Sequence, residues 1–179
     1  MALFPSRSLR YASHTIGTFS PNSIGSMIAN VDQHLLTSLA WQTANAAFFF
    51  PFTIDVPTTI VQMSWANGAT VSGNVDIGIY NSEGTLLVSS GSTAQSGVSA
   101  NQTVNTTDTL LSPGKWFYLA LAVDNTTATL LGVALSAAFN QAMGVLSMAS
   151  AFPLPATATF ASITVTRVWR VTAHTLTLV

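Results

Sequence analysis

Along residues 74–81 the apolar positions fall at every second place, with Val75, Ile77 and Ile79 on one side and Asp76, Gly78 and Tyr80 on the other. A period of two belongs to a strand with one buried face. The "NSEG" that follows places Asn81 at the start of a turn and Gly84 where a positive φ is needed, so residues 85–89 are expected to return antiparallel as the second arm of a hairpin. Just upstream, "AAFFFPFTIDVPTTIVQMSWANGAT" sets Phe48, Phe50 and Phe52 on one face and Phe49 on the other. Pro51 and Pro57 confine that region to strand edges or bulges, because proline cannot donate to a ladder. Residues 59–66 form a further β-branched strand closed by the turn dipeptide Asn67-Gly68.

Downstream, "GSTAQSGVSANQTVNTTDT" is polar with scattered Val, and reads as a long surface loop or an edge strand. After the turn signal Pro113-Gly114, alternation resumes with both faces apolar: Trp116, Tyr118, Ala120 and Ala122 on one, Phe117, Leu119, Leu121 and Val123 on the other. A strand apolar on both faces belongs in the middle of a sheet. "NTTATLLGVAL" adds a turn and strand, "FPLPAT" a proline-rich loop, and "TFASITVTRVWRVTAHTLTLV" one or two more strands. Many short strands without a long helical period predict an all-β fold, an antiparallel jelly-roll-like β-sandwich spanning residues 46–179.

Residues 1–45 lack sustained periodicity and read as an extended N-terminal arm with short strands, its apolar anchors being Leu3, Phe4, Leu9, Tyr11, Ile16 and Phe19. These are too apolar for a solvated tail. Within the arm, Ile28, Val31, Leu35 and Leu39 approximate a 3.6-residue period and predict a turn or two of helix.

Composition sharpens this picture. The chain has 179 residues, 49% hydrophobic but only 6% charged, with a net charge of −1; an average domain is roughly 25% charged. Its surface must be built from Ser, Thr, Asn and Gln, and little repulsion keeps copies apart. An assembly component fits. The basic residues Arg7, Arg10, Lys115, Arg167 and Arg170 are too few for a phosphate-tracking stripe, so nucleic acid is not an expected partner. No charge occurs between Asp124 and Arg167, but Asn140 and Gln141 would sit at mid-bilayer, so burial between subunits is expected in place of membrane insertion. "MALFPSRSLRYASHTIG" shows no basic segment leading into an apolar one, so the expected route to a surface is assembly or lysis. Cysteine is absent, which removes thiolate sites and disulfides.

Candidate chemistry is sparse. The carboxylates are Asp32, Asp55, Asp76, Glu83, Asp108 and Asp124, and nothing in their placement pairs two across a cleft. Asp76 and Asp124 flank strands and suit oxygen ligation of calcium, though turn and strand-end roles account for them more simply. His14, His34 and His174 show no metal-ligand spacing, and there is no G-x-S-x-G elbow or phosphate loop. No enzyme, cofactor or metal is expected. Trp116 and Tyr118 read as core or subunit packing. Tyr80 and Asp76, on the outward side of the hairpin, together with Gln95 in the following loop, are the candidate glycan contacts.

"GNVDIGIYNSEGTLLVSSGSTAQSG", "LLSPGKWFYLALAVD" and "FPLPAT" resemble β-sandwich virion proteins of tailed bacteriophages, over residues 45–165. The resemblance implies a head decoration protein, head fibre, or tail-fibre or baseplate module, commonly trimeric. It implies synthesis in the host cytoplasm, a place on the particle surface, and partners that are copies of itself and the major capsid protein or other virion proteins. The matching residues build the fold, so no site residue is carried over. A capsid decoration role, with the arm residues Leu3, Phe4, Leu9, Tyr11 and Phe19 attaching it, is the leading expectation; a tail-fibre or baseplate module binding host glycans is the alternative.

Overall fold

The computed structural model describes residues 27–29 and 36–176. The arm residues Leu3, Phe4, Leu9, Tyr11 and Phe19 lie outside the described residues. In chain order the strands are β1 (Met27–Ala29), β2 (Thr37–Ala40), β3 (Ala47–Thr53), β4 (Thr58–Ala66), β5 (Asn74–Asn81), β6 (Leu86–Ser89), β7 (Thr93–Ala94), β8 (Asn101–Leu111), β9 (Trp116–Val123) and β10 (Thr129–Ala134). They continue after a short helix, α1 (Ala137–Ala142), with β11 (Leu146–Met148), β12 (Ala161–Ser162), β13 (Arg167–Trp169) and β14 (Val171–Leu176). The protein is all-β and antiparallel, as the alternation predicts.

One layer is a sheet in the order β12-β11-β3-β9-β5-β6, with β7 also on β5. The other comprises β1-β14-β4-β8 and β13-β10-β2, joined where Asn67 at the end of β4 bridges to Leu130 of β10. Between them lies the main core, in which Val75, Ile77 and Ile79 of β5 meet Met63 and Trp65 of β4 and Val171 and Ala173 of β14. At one end Trp41, Phe48 and Trp169 pack ring on ring, with centroids 4.3 Å apart for the two tryptophans and 5.2 Å for Phe48 and Trp169. Such pairs add to the large area each ring buries.

Local rules explain the strand placements. β9 is flanked by β3 and β5, a central position that accounts for its two apolar faces. Pro51 pairs with Tyr118 of β9, while β11 covers only residues 47–49 of β3 on the other side. Its missing N–H therefore falls where β3 has become an edge. The stretch read as loop or edge strand holds both: residues 91–100 are loop with the short β7, and from Asn101 it becomes β8, an edge strand on β4. Its residues 106–108 stand opposite Val61 alone, a bulge that bends the edge.

Two expectations are corrected. The 3.6-residue spacing from Ile28 to Leu39 does not mark one helix: Ile28 lies in β1 against Ala173, and Leu39 in β2 against Leu130, so distant strand partners override the local period. The boundary at residue 45 also falls within the sandwich, because β1 and β2 are sheet members and Trp41 is core. The uncharged stretch considered for a membrane contains β10, α1 and β11; among the described residues no helix is long and apolar enough to cross a membrane.

Candidate functional site

The outward side of β5 is where the sequence places a glycan contact, and there Asp76 and Tyr80 are both 0% exposed. The neighbouring strands contribute Ala47, Phe49, Ala120 and Ala122 to the same face, so this side of the sheet is apolar too and needs a cover. Residues 149–160 supply it. This strap leaves the end of β11, donates from Ala151 N–H to Asn45 C=O (2.6 Å), crosses the sheet through a cis Phe152–Pro153 bond, and reaches the far hairpin. There Leu86 N–H donates to Ala156 C=O (3.0 Å) and Ala158 N–H to Gly84 C=O (2.8 Å), before Phe160 packs edge-on against Phe49 at 5.0 Å.

Asp76 and Tyr80 fasten the strap at its middle. Leu154 N–H donates to Asp76 Oδ2 at 2.9 Å, and Tyr80 OH donates to Pro155 C=O at 2.6 Å. Ser90 Oγ reaches Asp76 Oδ1 at 3.3 Å. Gly78, between the two clamps, is required by close approach, since a Cβ there would stand 2.7 Å from Val88 O and 2.9 Å from Leu154 Cδ1. The expectation of solvent-facing contacts at Asp76 and Tyr80 is therefore corrected: their polar atoms serve the strap backbone, which would otherwise be left unsatisfied under cover. Burial pushes the Asp76 carboxyl above its ordinary value against the opposing pull of its hydrogen bonds, and burial with the nearby Asp76 charge pushes the Tyr80 phenol up.

Gln95 is likewise buried and engaged. Its Oε1 accepts from Ser72 N–H at 2.7 Å, and its Nε2 donates to Asn67 Oδ1 at 3.0 Å and to Thr129 C=O at 2.9 Å. Asn67 also accepts from Trp65 Nε1 at 2.8 Å and donates to Gln102 Oε1 at 3.1 Å and to Ser96 C=O. The network ties β4, β8, β10 and the loop after β7 together, and it uses all four hydrogen-bonding sites of the Asn67 amide and three of the four of Gln95. The structure thus brings Asp76 and Tyr80 together under the strap and places Gln95 in a separate network. Neither group is free to hold a sugar.

The remaining polar candidates are also in structural roles. Asp124 accepts from Asn74 Nδ2 (2.8 Å) and Asn125 Nδ2 (2.6 Å), and these and backbone bonds lower its carboxyl despite the opposing effect of burial. Asn125 Oδ1 in turn accepts from Thr127 and Ala128 N–H, fixing the turn into β10. His174 Nε2 is 2.9 Å from Ser64 Oγ. No group of three or more His, Cys, Asp or Glu side chains able to hold a metal ion occurs among the described residues.

Trp116 differs from all of these. Its strand is central, yet at its first residue the indole is 53% exposed on the strap side of the sheet, one alternation beyond the partly buried Tyr118. Sequence reasoning took it for packing because its strand is apolar on both faces. It missed Leu154, Pro155 and Asn67, whose partners lie far along the chain. No protein-family model matches the chain, and no curated protein matches it.

Proposed function

We propose that this chain is a structural component of a tailed-bacteriophage particle, a capsid decoration protein that assembles as a homotrimer on the particle surface and is held to the major capsid protein by its N-terminal arm. The observation that carries the reading is the destination of the polar side chains. Asp76, Gln95 and Asn67 satisfy the protein's own backbone and one another. Of the residues that β8 leaves outside, Asn101, Thr103, Asn105 and Thr107 are uncharged hydroxyls and amides, and Asp108 is the one charge. The large apolar side chains exposed among the described residues are Val56, Leu87, Val98, Leu110, Trp116 and Phe139. A surface of this kind suits fixed contacts with neighbours better than it suits turnover of a substrate. The bulge in β8 and its Asp108 blunt that edge against open-ended strand addition, which favours a closed assembly.

Native mass spectrometry and light scattering of the full chain test the assembly, and uptake by stripped heads of the phage that encodes it tests attachment. A mass of about three times 18.8 kDa is expected. Deleting residues 1–20 is expected to abolish uptake while the unfolding midpoint stays in place. A chain that remains monomeric at every concentration and does not bind heads refutes the proposal, and full uptake by the truncated chain refutes the role of the arm.

A further inference from the structure

The geometry points to a carbohydrate-binding platform at the exposed end of β9, built on Trp116, Tyr118 and Phe160. Trp116 and Tyr118 project from the same side of one strand two positions apart, which sets them about 7 Å apart along a rigid sheet. Phe160, at the end of the strap, lies against Tyr118 with centroids 4.7 Å apart and planes at 44°. Along one border, Thr53 stands opposite Trp116 in the β3 ladder. Along the other, the turn after β5 brings up Glu83, close enough to Lys115 for that ammonium to help lower its carboxyl after the hydrogen bond from Ser82. The turn also reaches the rings, since a Cβ at Gly84 would be 3.6 Å from the Phe160 ring.

The Tyr118 hydroxyl supplies an independent pointer. The side chain is partly buried, yet its OH has no hydrogen-bond partner among the described residues, whereas Tyr80 on the same sheet face donates to Pro155. The oxygen is not among the buried unpartnered atoms, so it opens to the surface beside the rings, where a ligand hydroxyl can meet it. The Trp116 side chain beside it is 53% exposed.

A narrow row of rings bordered by a hydroxyl, a carboxylate and an ammonium complements a pyranose, which carries an apolar C–H face and a rim of hydroxyls. A second copy of the chain is a poorer fit, because a stable protein interface needs about 800 Å² per partner and one half-exposed indole with two partly covered rings falls well below that. The platform uses residues other than the arm residues proposed to hold the chain on the head. It replaces Asp76, Tyr80 and Gln95 as the place where a glycan would be met.

The test is a printed array of bacterial surface polysaccharides and hexaoses of glucose and N-acetylglucosamine, probed with the full chain, followed by titration of any binder while reading tryptophan fluorescence. Wild type is expected to bind at least one glycan with a change in indole emission. Trp116→Ala is expected to weaken it by about tenfold or more, and Tyr118→Phe by less, with unchanged unfolding midpoints. Trp116→Phe, which keeps a stacking face, is expected to recover part of the loss. Absence of binding across the array, or binding that Trp116→Ala leaves intact, overturns the platform. Loss of self-association in Trp116→Ala also overturns it, by identifying the indole as a contact between copies. Trimer mass and head uptake of the same variant keep a failure here distinct from a failure of the decoration proposal.

Discussion

The Asp76 clamp makes a quantitative demand on pH. Its carboxyl titrates above its ordinary value in the folded protein, with burial the main cause, so the native state binds that proton more tightly than the unfolded chain. The stability this group contributes is complete below about pH 3.9 and is lost as pH rises through the raised folded value. Asp76→Asn removes the titration but keeps an oxygen to accept from Leu154 N–H, a bond of 2.9 Å. The introduced amide nitrogen can donate to Ser90 Oγ, which is already donating to Gly91 C=O at 3.0 Å. Wild type and Asp76→Asn should therefore match near pH 4 and separate toward pH 7, with the amide variant the more stable by about 1.4 kcal/mol for each unit by which the carboxyl is raised. Asp76→Ala instead strands the Leu154 N–H beneath the strap and should cost about 1–3 kcal/mol at any pH. Urea unfolding at half-unit steps from pH 4 to 7.5 measures both, and contributions from other titrating groups cancel in the difference. If Asp76→Asn is less stable than wild type by more than about 1 kcal/mol at pH 7, with the pH slope unchanged, hydrogen bonding to the charge outweighs its burial and the reasoning fails.

Three further outcomes follow from the same contacts. Gln95→Ala leaves Ser72 N–H without its partner, while Thr129 C=O keeps Gly68 N–H, and is expected to lower stability by about 1–3 kcal/mol in urea unfolding, while glycan-array signals stay unchanged. Gly78→Ala drives a methyl against Val88 O and Leu154 Cδ1 beneath the strap and should cost about 1–3 kcal/mol, with faster proteolysis between residues 149 and 160 as the specific readout. His174 is held below its ordinary value, chiefly by burial and then by Arg170, so the unfolded chain takes up the proton first. Stability should accordingly drop as pH falls below about 6.5, and His174→Gln should remove that part of the slope in pH-dependent thermal melts.

The hairpin shows what the sequence could and could not reveal. Val75, Ile77 and Ile79 are legible as core because period-two alternation is a local property, and the structure buries all three. Asp76 and Tyr80 were legible only as the opposite face. Whether that face is wet depends on residues 149–160, and the link from Asp76 to Leu154 spans 78 positions. The strap has no period to announce it, and its prolines read only as a loop. Pro51 was informative because a missing donor has a fixed meaning in a ladder. Asn67 was legible as a turn residue, but its side-chain bonds to Gln95 and Gln102 depend on tertiary packing. The helical spacing misplaces its two ends for the same reason, since Ile28 and Leu39 each answer to a strand far along the chain, while Val31 and Leu35 lie outside the described residues.

The strap also orders events during synthesis. Its seat on β3, β9 and β5 is complete once Val123 has left the ribosome, but its cover arrives only with residues 149–160, and the central strand β14 of the opposite layer only with residue 176. A nascent chain stalled between these points would display Phe49, Tyr80, Ala120 and Ala122 on one face and an unfilled slot between β1 and β4 on the other. The strap layer can close once residues 149–162 have emerged, whereas β1 and β4 wait for β14 to be inserted between them, so the two layers are expected to close in that order.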